Sequence, residues 1–579
     1  MKFIELADYF ERLERTSKRL EMFTILSELF KRAAPQEIDK IVYLCEERLL
    51  PPFKGLVIGM AEKLIERAIA KAAQQSEAEV RRLHKELGDP GLVAEELLAK
   101  QKGKKPLDVL EAYDELVQLA QTSGGGSIDK KINLLADLLG RGTPKEARYI
   151  TRFVLGRLRL GIGDPTILEA LSIAVAGDRS LKPELERAYN LCSDLGLVAK
   201  TLFTKGIKGV SHLEVRVGNP IRPALAERLS SAEAIVKKLG KCSVEAKYDG
   251  LRAAVHKKGD EVEIFSRNQD RTTHMFPDIV EGVRRQIRAE DAIFEGEALA
   301  FNEETGELLP FQVTAQRKRK HNIEEMAKGF PLVLFVFDLL YVDGEDYTKR
   351  PYSERREKLE KILKPGPRIK LADRIITDDP EEISKFFDKN IELGLEGILA
   401  KKLDAPYQAG ARNFNWIKLK RSYKGELSDT VDVVLVGYFK GRGMRAKFGI
   451  GALLAAVYDE ASDAFKTVAK IGSGLTEENW VRVKKLLDDV KVEHQPARVE
   501  SLITPDVWAE PKYVFTVLAD EITKSPLHTC GKVDDEPGYA LRFPRIVGWI
   551  REDKKPEDAN TVKEIIDLFK LQRKIKPAG

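Results

Sequence analysis

The chain has 579 residues, enough for three or four domains at about 100–200 residues each. Hydrophobic residues make up 43%, which supplies packed cores and excludes a largely disordered chain. The formal net charge of +5 allows a polyanionic partner without demanding one. Charged residues reach 33%, a density typical of surface ion-pair networks that gain value at high temperature.

The N-terminus, MKFIELADYFERLER, is charged from the start and has no signal stretch. The longest apolar run, Pro331 to Val342, is interrupted by Asp338. A bilayer span needs about 20 apolar residues, so this run is expected to be a buried strand and the protein cytoplasmic. Cys45, Cys192, Cys242 and Cys530 have no metal-ligand spacing and are expected to be reduced, buried thiols.

The first 210 or so residues read as helices. Leu20, Phe23, Leu26, Leu29 and Phe30 recur every three or four residues and form one helical face. Thr143-Pro144-Lys145-Glu146 is a capping box with proline at the first helical position, and Asp164-Pro165 starts a further helix in the same way. Thr122 to Ser127 is a glycine-rich break before a helix at 128–139. Gly218-Asn219-Pro220-Ile221-Arg222-Pro223 is an extended connector.

From Cys242 to Arg421 short β-branched runs alternate with helical stretches, with a hairpin around Lys258-Gly259-Asp260. Beyond 431 the spacing predicts strands near 431–438, 451–458, 465–472, 513–519 and 539–550, and a helix near 476–490. Five strands with an inserted helix suit a small, partly open barrel. A basic helix at 557–574 closes the chain.

In Glu245-Ala246-Lys247-Tyr248-Asp249-Gly250-Leu251-Arg252 the period of a strand puts Glu245, Lys247 and Asp249 on one face. Alone, that is a solvated strand face ending in a turn. Yet Glu295-Gly296-Glu297, Glu396-Gly397 and Trp416-Ile417-Lys418-Leu419-Lys420 also set charge on one face of otherwise apolar strands. Such faces suit a cleft for a polyanion. A lysine attacks only as the neutral amine, and cations such as Lys418, Lys420 and Arg252 would disfavour its protonated form. They would also stabilise phosphoryl charge, while Glu297 and Glu396 could hold Mg²⁺.

In this order the segments resemble the motifs of ATP-dependent DNA ligases, closest to the archaeal and eukaryotic replicative kind. Lys247 to Arg252 is similar to the motif carrying the nucleophile. Ser266-Arg267-Asn268 is similar to the element whose arginine contacts nucleotide phosphate. Phe294 to Glu297, Phe335 to Asp338, Glu396-Gly397 and Trp416 to Lys420 follow in the family's order. Arg542-Phe543-Pro544-Arg545 and Arg551-Glu552-Asp553-Lys554 resemble the last motif, with Gly548 and Trp549 between its halves.

The resemblance implies Lys247 as the nucleophile. It implies nucleotide contacts from Glu245, Arg252, Arg267, Glu297, Phe337, Arg412, Lys418, Lys420, Arg542 and Lys554, with Phe337 stacked on the adenine and Glu245 reading it. It implies Mg²⁺ on Glu297 and Glu396. Alone, Phe337 would read as a core aromatic and Arg412 as a surface charge.

The implied architecture is multidomain. An all-α DNA-binding domain spans 1–215, an α+β nucleotidyltransferase (adenylation) domain 216–423, and a β-barrel OB-fold domain with its C-terminal helix 424–579. The implied cofactors are ATP and Mg²⁺, and the partner is nicked double-stranded DNA, bound by a monomer. Two rival readings are an RNA-capping or RNA-ligating nucleotidyltransferase, from which the helical N-terminal region sets the chain apart, and a non-catalytic nick-binding scaffold, against which an intact Lys247 with all its partners argues.

Arg157 to Asp164 could carry a glycine-rich loop to DNA phosphate, or be an ordinary interhelical loop. A sliding clamp is a candidate partner in this family through Gln followed by paired aromatics. Here Gln101-Lys102-Gly103-Lys104-Lys105-Pro106 has no such aromatics.

Overall fold

Helices run from Phe3–Glu14 to Leu195–Ser211, and their apolar faces merge in one buried core. In a computed structural model, residues 1–101, 104–301, 308–309, 313–314, 317, 327, 329–393, 395–420, 430–441, 448–534 and 536–575 are described. Lys102 and Gly103 of the clamp-motif segment, and the expected boundary at 423/424, lie outside them.

Phe23, Leu26, Leu29 and Phe30 are buried in helix Arg19–Arg32, but Leu20 is 69% exposed, because it stands in the first turn beyond the packed face. The Thr143 capping box forms as read, with Thr143 N donating to Glu146 at 2.7 Å and Glu146 N to Thr143 Oγ1 at 3.4 Å. The helix Asp164–Ala176 starts where read but is capped differently: Gly163 holds the cap position. Asp164 Oδ2 instead accepts from Tyr189 (2.6 Å) and Arg222 (2.9 Å), tying the helices to the connector.

The middle region has two sheets. One runs in the order Leu225–Arg228, Arg412–Lys420, Gly397–Lys402, Cys242–Lys247, Arg374–Thr377. The other runs Glu261–Phe265, Leu251–Lys258, Asp291–Ala300, Leu332–Val342, Glu345–Asp346, with Ile369–Leu371 also on Leu332–Val342. Strand alternation divides the first sheet cleanly. Val244, Ile398, Ala400, Ile417 and Leu419 pack against Ile383 and Phe387. On the same strands Glu245, Lys247, Leu399, Lys418 and Lys420 line a cleft on the other face. In the second sheet Leu251, Ala253, Phe294 and Ala298 pack with Ile279 and Val283, which turns Arg252 and Glu297 to the cleft.

The C-terminal region is a β domain. Thr430–Phe439 pairs with Ala452–Asp459 and Val514–Leu518, Ala452–Asp459 with Ala464–Ile471, and Val514–Leu518 with Arg545–Ile550. The single strand expected at 539–550 is two, Gly538–Arg542 and Arg545–Ile550. The chain breaks there because Phe543 is left-handed (φ 49°) and Pro544 has no N–H to give a ladder. The inserted helix is Glu477–Asp489, and the closing helix begins at Val562 rather than 557. Among the described residues no helix is long and apolar enough to cross a membrane.

Candidate active site

A cleft of about 1370 Å³ opens where all three regions meet, with Gly156 and Glu47 on the helical side and Arg551 to Lys555 on the C-terminal side. Lys247 ends its strand at the cleft and is ion-paired with Glu396, which also takes Lys420. Burial would raise the Glu396 carboxyl, but Lys247 and Lys420 hold it well below the usual range. Gly397, next in sequence, has φ 148°, and a Cβ there would lie 2.1 Å from the Leu419 carbonyl oxygen. Only glycine lets Glu396 reach both lysines.

The two acids of Glu295-Gly296-Glu297 have different fates. Glu295 is buried and committed to Arg252 (2.9 and 3.0 Å) and to the Tyr407 hydroxyl (2.8 Å). Glu297 faces the cleft, and burial pushes it up to about 7 against the pull of Lys247 and Arg252. Asp249 is also raised, by burial and by Glu396. A carboxylate held above its ordinary value costs stability that appears as pH climbs past about 4.3 and is complete above the folded value. Glu297→Gln is therefore expected to melt at higher temperature than the wild type at pH 8, by on the order of 1–3 kcal/mol, the gap closing by pH 5. Equal melting of both proteins at pH 8 would show that Glu297 is not strained.

The cations expected beside Lys247 are only partly there. Lys420 shares Glu396 with it, but Arg252 is turned to Glu295, and Lys418 to Glu564 at 2.6 Å. Burial pushes Lys418 down to about 8, with Arg412 and Lys420 adding and Glu564 opposing. Arg412 is no loose surface charge: its Nε meets Glu460 at 2.7 Å, its Nη1 lies 3.5 Å from Glu564, and it lines the cleft.

Phe337 lines the cleft with its ring 6.1 Å from Trp416, edge to face, and with Arg252 5.4 Å from its centre. Glu245 lines it too, held behind by the Tyr352 hydroxyl and by Lys401 Nζ at 2.8 Å. Arg267 reaches across to Asp558 at 2.9 Å. Lys554 pairs with Asp432 and faces the cleft beside Arg551. Arg542 is not among the cleft-lining residues; it is exposed at the end of its strand, 5.3 Å from the Phe543 ring centre. The break at Phe543 and Pro544 separates it from the Arg551–Lys554 half.

Sequence reading missed Lys401, Glu564 and Asp432. Lys401 was legible in principle, as a lysine on the Glu245 face of a buried strand. Asp432 interrupts an apolar strand and Glu564 completes a Thr561-x-x-Glu564 capping box, but neither pattern names the lysine each one meets. The Arg157 to Asp164 loop is not open to solvent partners here: Arg157 is paired with Glu62 (2.8 Å) and Asp489 (3.0 Å), and Arg159 with Asp89 (3.1 Å).

Three family models match the chain: "DNA ligase N terminus" over residues 2–172, "ATP dependent DNA ligase domain" over 223–420 and "ATP dependent DNA ligase C terminal region" over 446–554. A relative from Dictyoglomus turgidum named "Probable DNA ligase" is 56% identical, covering 100% of this chain and 99% of its own. A "DNA ligase" from Hyperthermus butylicus is 47% identical, covering 100% and 98%. A "DNA ligase" from Staphylothermus marinus is also 47% identical, covering 99% of each.

Proposed function

The chain belongs to the ATP-dependent DNA ligase family, whose general function is sealing nicks in duplex DNA, and on that premise we propose how its cleft performs the reaction. The proposal is carried by one observation: Lys247 stands in a cleft whose walls alternate carboxylates with Lys418, Lys420, Arg412 and Lys554.

Lys247 Nζ attacks the α-phosphorus of ATP. A P–N bond forms, the Pα–O bond to the β-phosphate breaks, and pyrophosphate leaves. An oxygen of a nick 5′-phosphate then displaces Lys247 from the AMP. Finally the 3′-hydroxyl attacks that 5′-phosphorus, a phosphodiester forms and AMP departs. Lys418, Lys420 and Arg412 stabilise the phosphate charge that develops, as fixed cations in a partly buried cleft can. Lys554 and Arg267 close over the triphosphate from the C-terminal and middle sides.

The donor set fits a hard divalent cation: Glu297 and Glu396 offer carboxylate oxygens with Asp249 beside them, and burial raises Glu297 and Asp249 despite the cations near them. Glu297 and Glu396 would hold Mg²⁺ there, and it would supply charge neutralisation for the triphosphate.

We place the domains at 1–215, 216–423 and 424–579. An OB-type barrel at the C-terminal end is supported by a ring of pairings. Strand Ala464–Ile471 leads to Ser473, which bridges Arg545 and thus returns through Val514–Leu518 to Thr430–Phe439. The present arrangement suits the first step. The β domain must then swing away, because its Asp489 occupies Arg157, a candidate phosphate contact of the helical domain. One chain carries every group named, which supports a monomeric enzyme. Gln101 donates to the Ala72 carbonyl at 3.0 Å, and among the described residues of this segment nothing supports a clamp contact.

Phe543 is the residue we assign to the duplex. It is 65% exposed and left-handed, with the exposed arginines 542 and 545 on either side. An aromatic held out between two arginines suits stacking or wedging against bases. Phe543→Ala is expected to form the lysyl-adenylate normally but to seal nicks at least about tenfold more slowly, a loss near the 1–3 kcal/mol of a base–aromatic contact. Normal sealing by this variant would remove the assignment.

The function is tested by incubating the protein with α-labelled ATP and Mg²⁺, running a denaturing gel, and chasing with nicked duplex. Label retained on the protein and discharged by the nick is expected. Transfer only to a 5′-diphosphate RNA would favour the capping reading instead.

A further inference from the structure

Behind the nucleotide cleft, outside its lining, sits a lysine that the reaction scheme does not use. Lys401 is wholly buried, on the strand Gly397–Lys402. An ammonium in such a place is costly unless every donor is engaged. Its Nζ donates to Glu245 Oε2 at 2.8 Å and to the main-chain carbonyl of Phe337 at 2.9 Å. It also lies against three aromatic faces, 4.4 Å from the ring centre of Trp416, 4.8 Å from Phe337 and 4.9 Å from Tyr352.

These contacts join two walls of the cleft that belong to different sheets. Glu245 is on the Cys242–Lys247 strand of one sheet, and Phe337 on the Leu332–Val342 strand of the other. Among the described residues no hydrogen-bonded ladder connects those sheets, so a direct Lys401 bond to each helps to hold their separation at this point. Glu245 is also held from behind: Oε1 accepts from the Tyr352 hydroxyl, and Arg356 stands 3.6 Å away. Donors therefore surround the carboxylate on its buried side. The capacity left on the cleft side is that of an acceptor.

We propose that Lys401 is the positioning residue that sets base specificity, by holding the Glu245 carboxylate as a fixed, acceptor-only group at the height of the Phe337 ring. This rests on the reading that Glu245 and Phe337 receive the base. An acceptor-only group selects a base that presents an amino group, such as the 6-amino group of adenine. It rejects one that presents a carbonyl oxygen there, such as guanine, because two acceptors would face each other unpaired. Lys401 itself touches no substrate.

The test is steady-state formation of the lysyl-nucleotide with three donors: ATP, GTP and purine riboside triphosphate, which has hydrogen in place of the 6-amino group. Lys401→Met preserves length and removes charge and donors. It is expected to raise KM for ATP at least about tenfold with kcat within a few-fold, and to leave KM for purine riboside triphosphate nearly unchanged. The wild-type preference for ATP over both analogues should shrink accordingly. A merely structural role would weaken all three donors alike, and that result would overturn the proposal.

Glu245→Gln run in parallel separates the two failures. If Glu245→Gln keeps the wild-type preference, the reading of Glu245 itself is wrong. If Glu245→Gln loses it and Lys401→Met keeps it, only the role of Lys401 falls. Thermal melting of each variant reports folding. Should Lys401→Met not fold, Lys401→Arg serves, since it keeps charge but displaces the donors; an unchanged ATP preference in that variant would equally overturn the proposal.

Discussion

Lys247→Ala is expected to form no covalent nucleotide adduct, with loss of overall nick sealing on the order of 10⁴–10⁶-fold, the range seen when a covalent nucleophile is removed. None of the lysines around it can substitute. Lys420 is held by the far oxygen of Glu396, and Lys418 is turned to Glu564. Lys420 also ends its strand level with Gly397, but it stands on the far side of Gly397 from Lys247, two strands away. The variant should stay folded, because Lys247 is one of two cations on Glu396 and Lys420 remains. Sealing of a nick that already carries the 5′-adenylate should persist at a measurable rate, since that step forms its bond between the two DNA ends. A labelled adduct in Lys247→Ala would refute the assignment of the nucleophile. Loss of the pre-adenylylated reaction together with a lowered melting temperature would assign the defect to folding instead.

Glu564→Gln is expected to change nucleotide affinity and stability in opposite directions. Glu564 is buried on the closing helix. Its Oε1 meets Lys418 at 2.6 Å, and its Oε2 accepts from Thr561 N (3.0 Å) and Asn560 Nδ2 (2.9 Å). Burial alone would raise this carboxyl, but Lys418 and Arg412 hold it well below the ordinary range. Its contribution to stability is therefore present above the ordinary carboxylate value and is lost as pH falls below it.

Removing one partner of such a buried pair costs about 3–5 kcal/mol, less where a neutral acceptor remains, so the nucleotide-free variant should melt several degrees lower at pH 7–8. The same carboxylate competes with a triphosphate for Lys418 and Arg412. Without it, KM for ATP in the adenylylation step should fall about tenfold, the scale of a charged hydrogen bond no longer displaced. A lower melting temperature with unchanged KM would mean that the pair only braces the two domains.

Much of the molecule is legible in the sequence alone. Helical spacing placed the first region, and strand alternation placed Glu245, Lys247, Lys418 and Lys420 on one face with Ile417 and Leu419 on the other. That worked because a period of two is a property of the backbone, which no partner can override once the opposite face is buried. Local chemistry at turns was nearly as readable. Thr143 caps its helix as the residues require, whereas Asp164 does not, since a tertiary partner, Arg222, claims its carboxylate.

The sequence by itself determined a set of candidate residues: a lysine on a strand face, acids and lysines in order along core strands, and a resemblance spread over the whole set. Only the tertiary structure decided what each charge is joined to. Lys418 and Glu564 are 146 residues apart, and nothing along the chain relates them. The same is true of Lys401 between Glu245 and Phe337, and of Arg542, which lies outside the cleft while Lys554 lines it. Periodicity fixes the direction of a side chain relative to its own strand or helix. Charge pairing depends on which elements the fold brings within a few ångströms, and that is set by packing across domains.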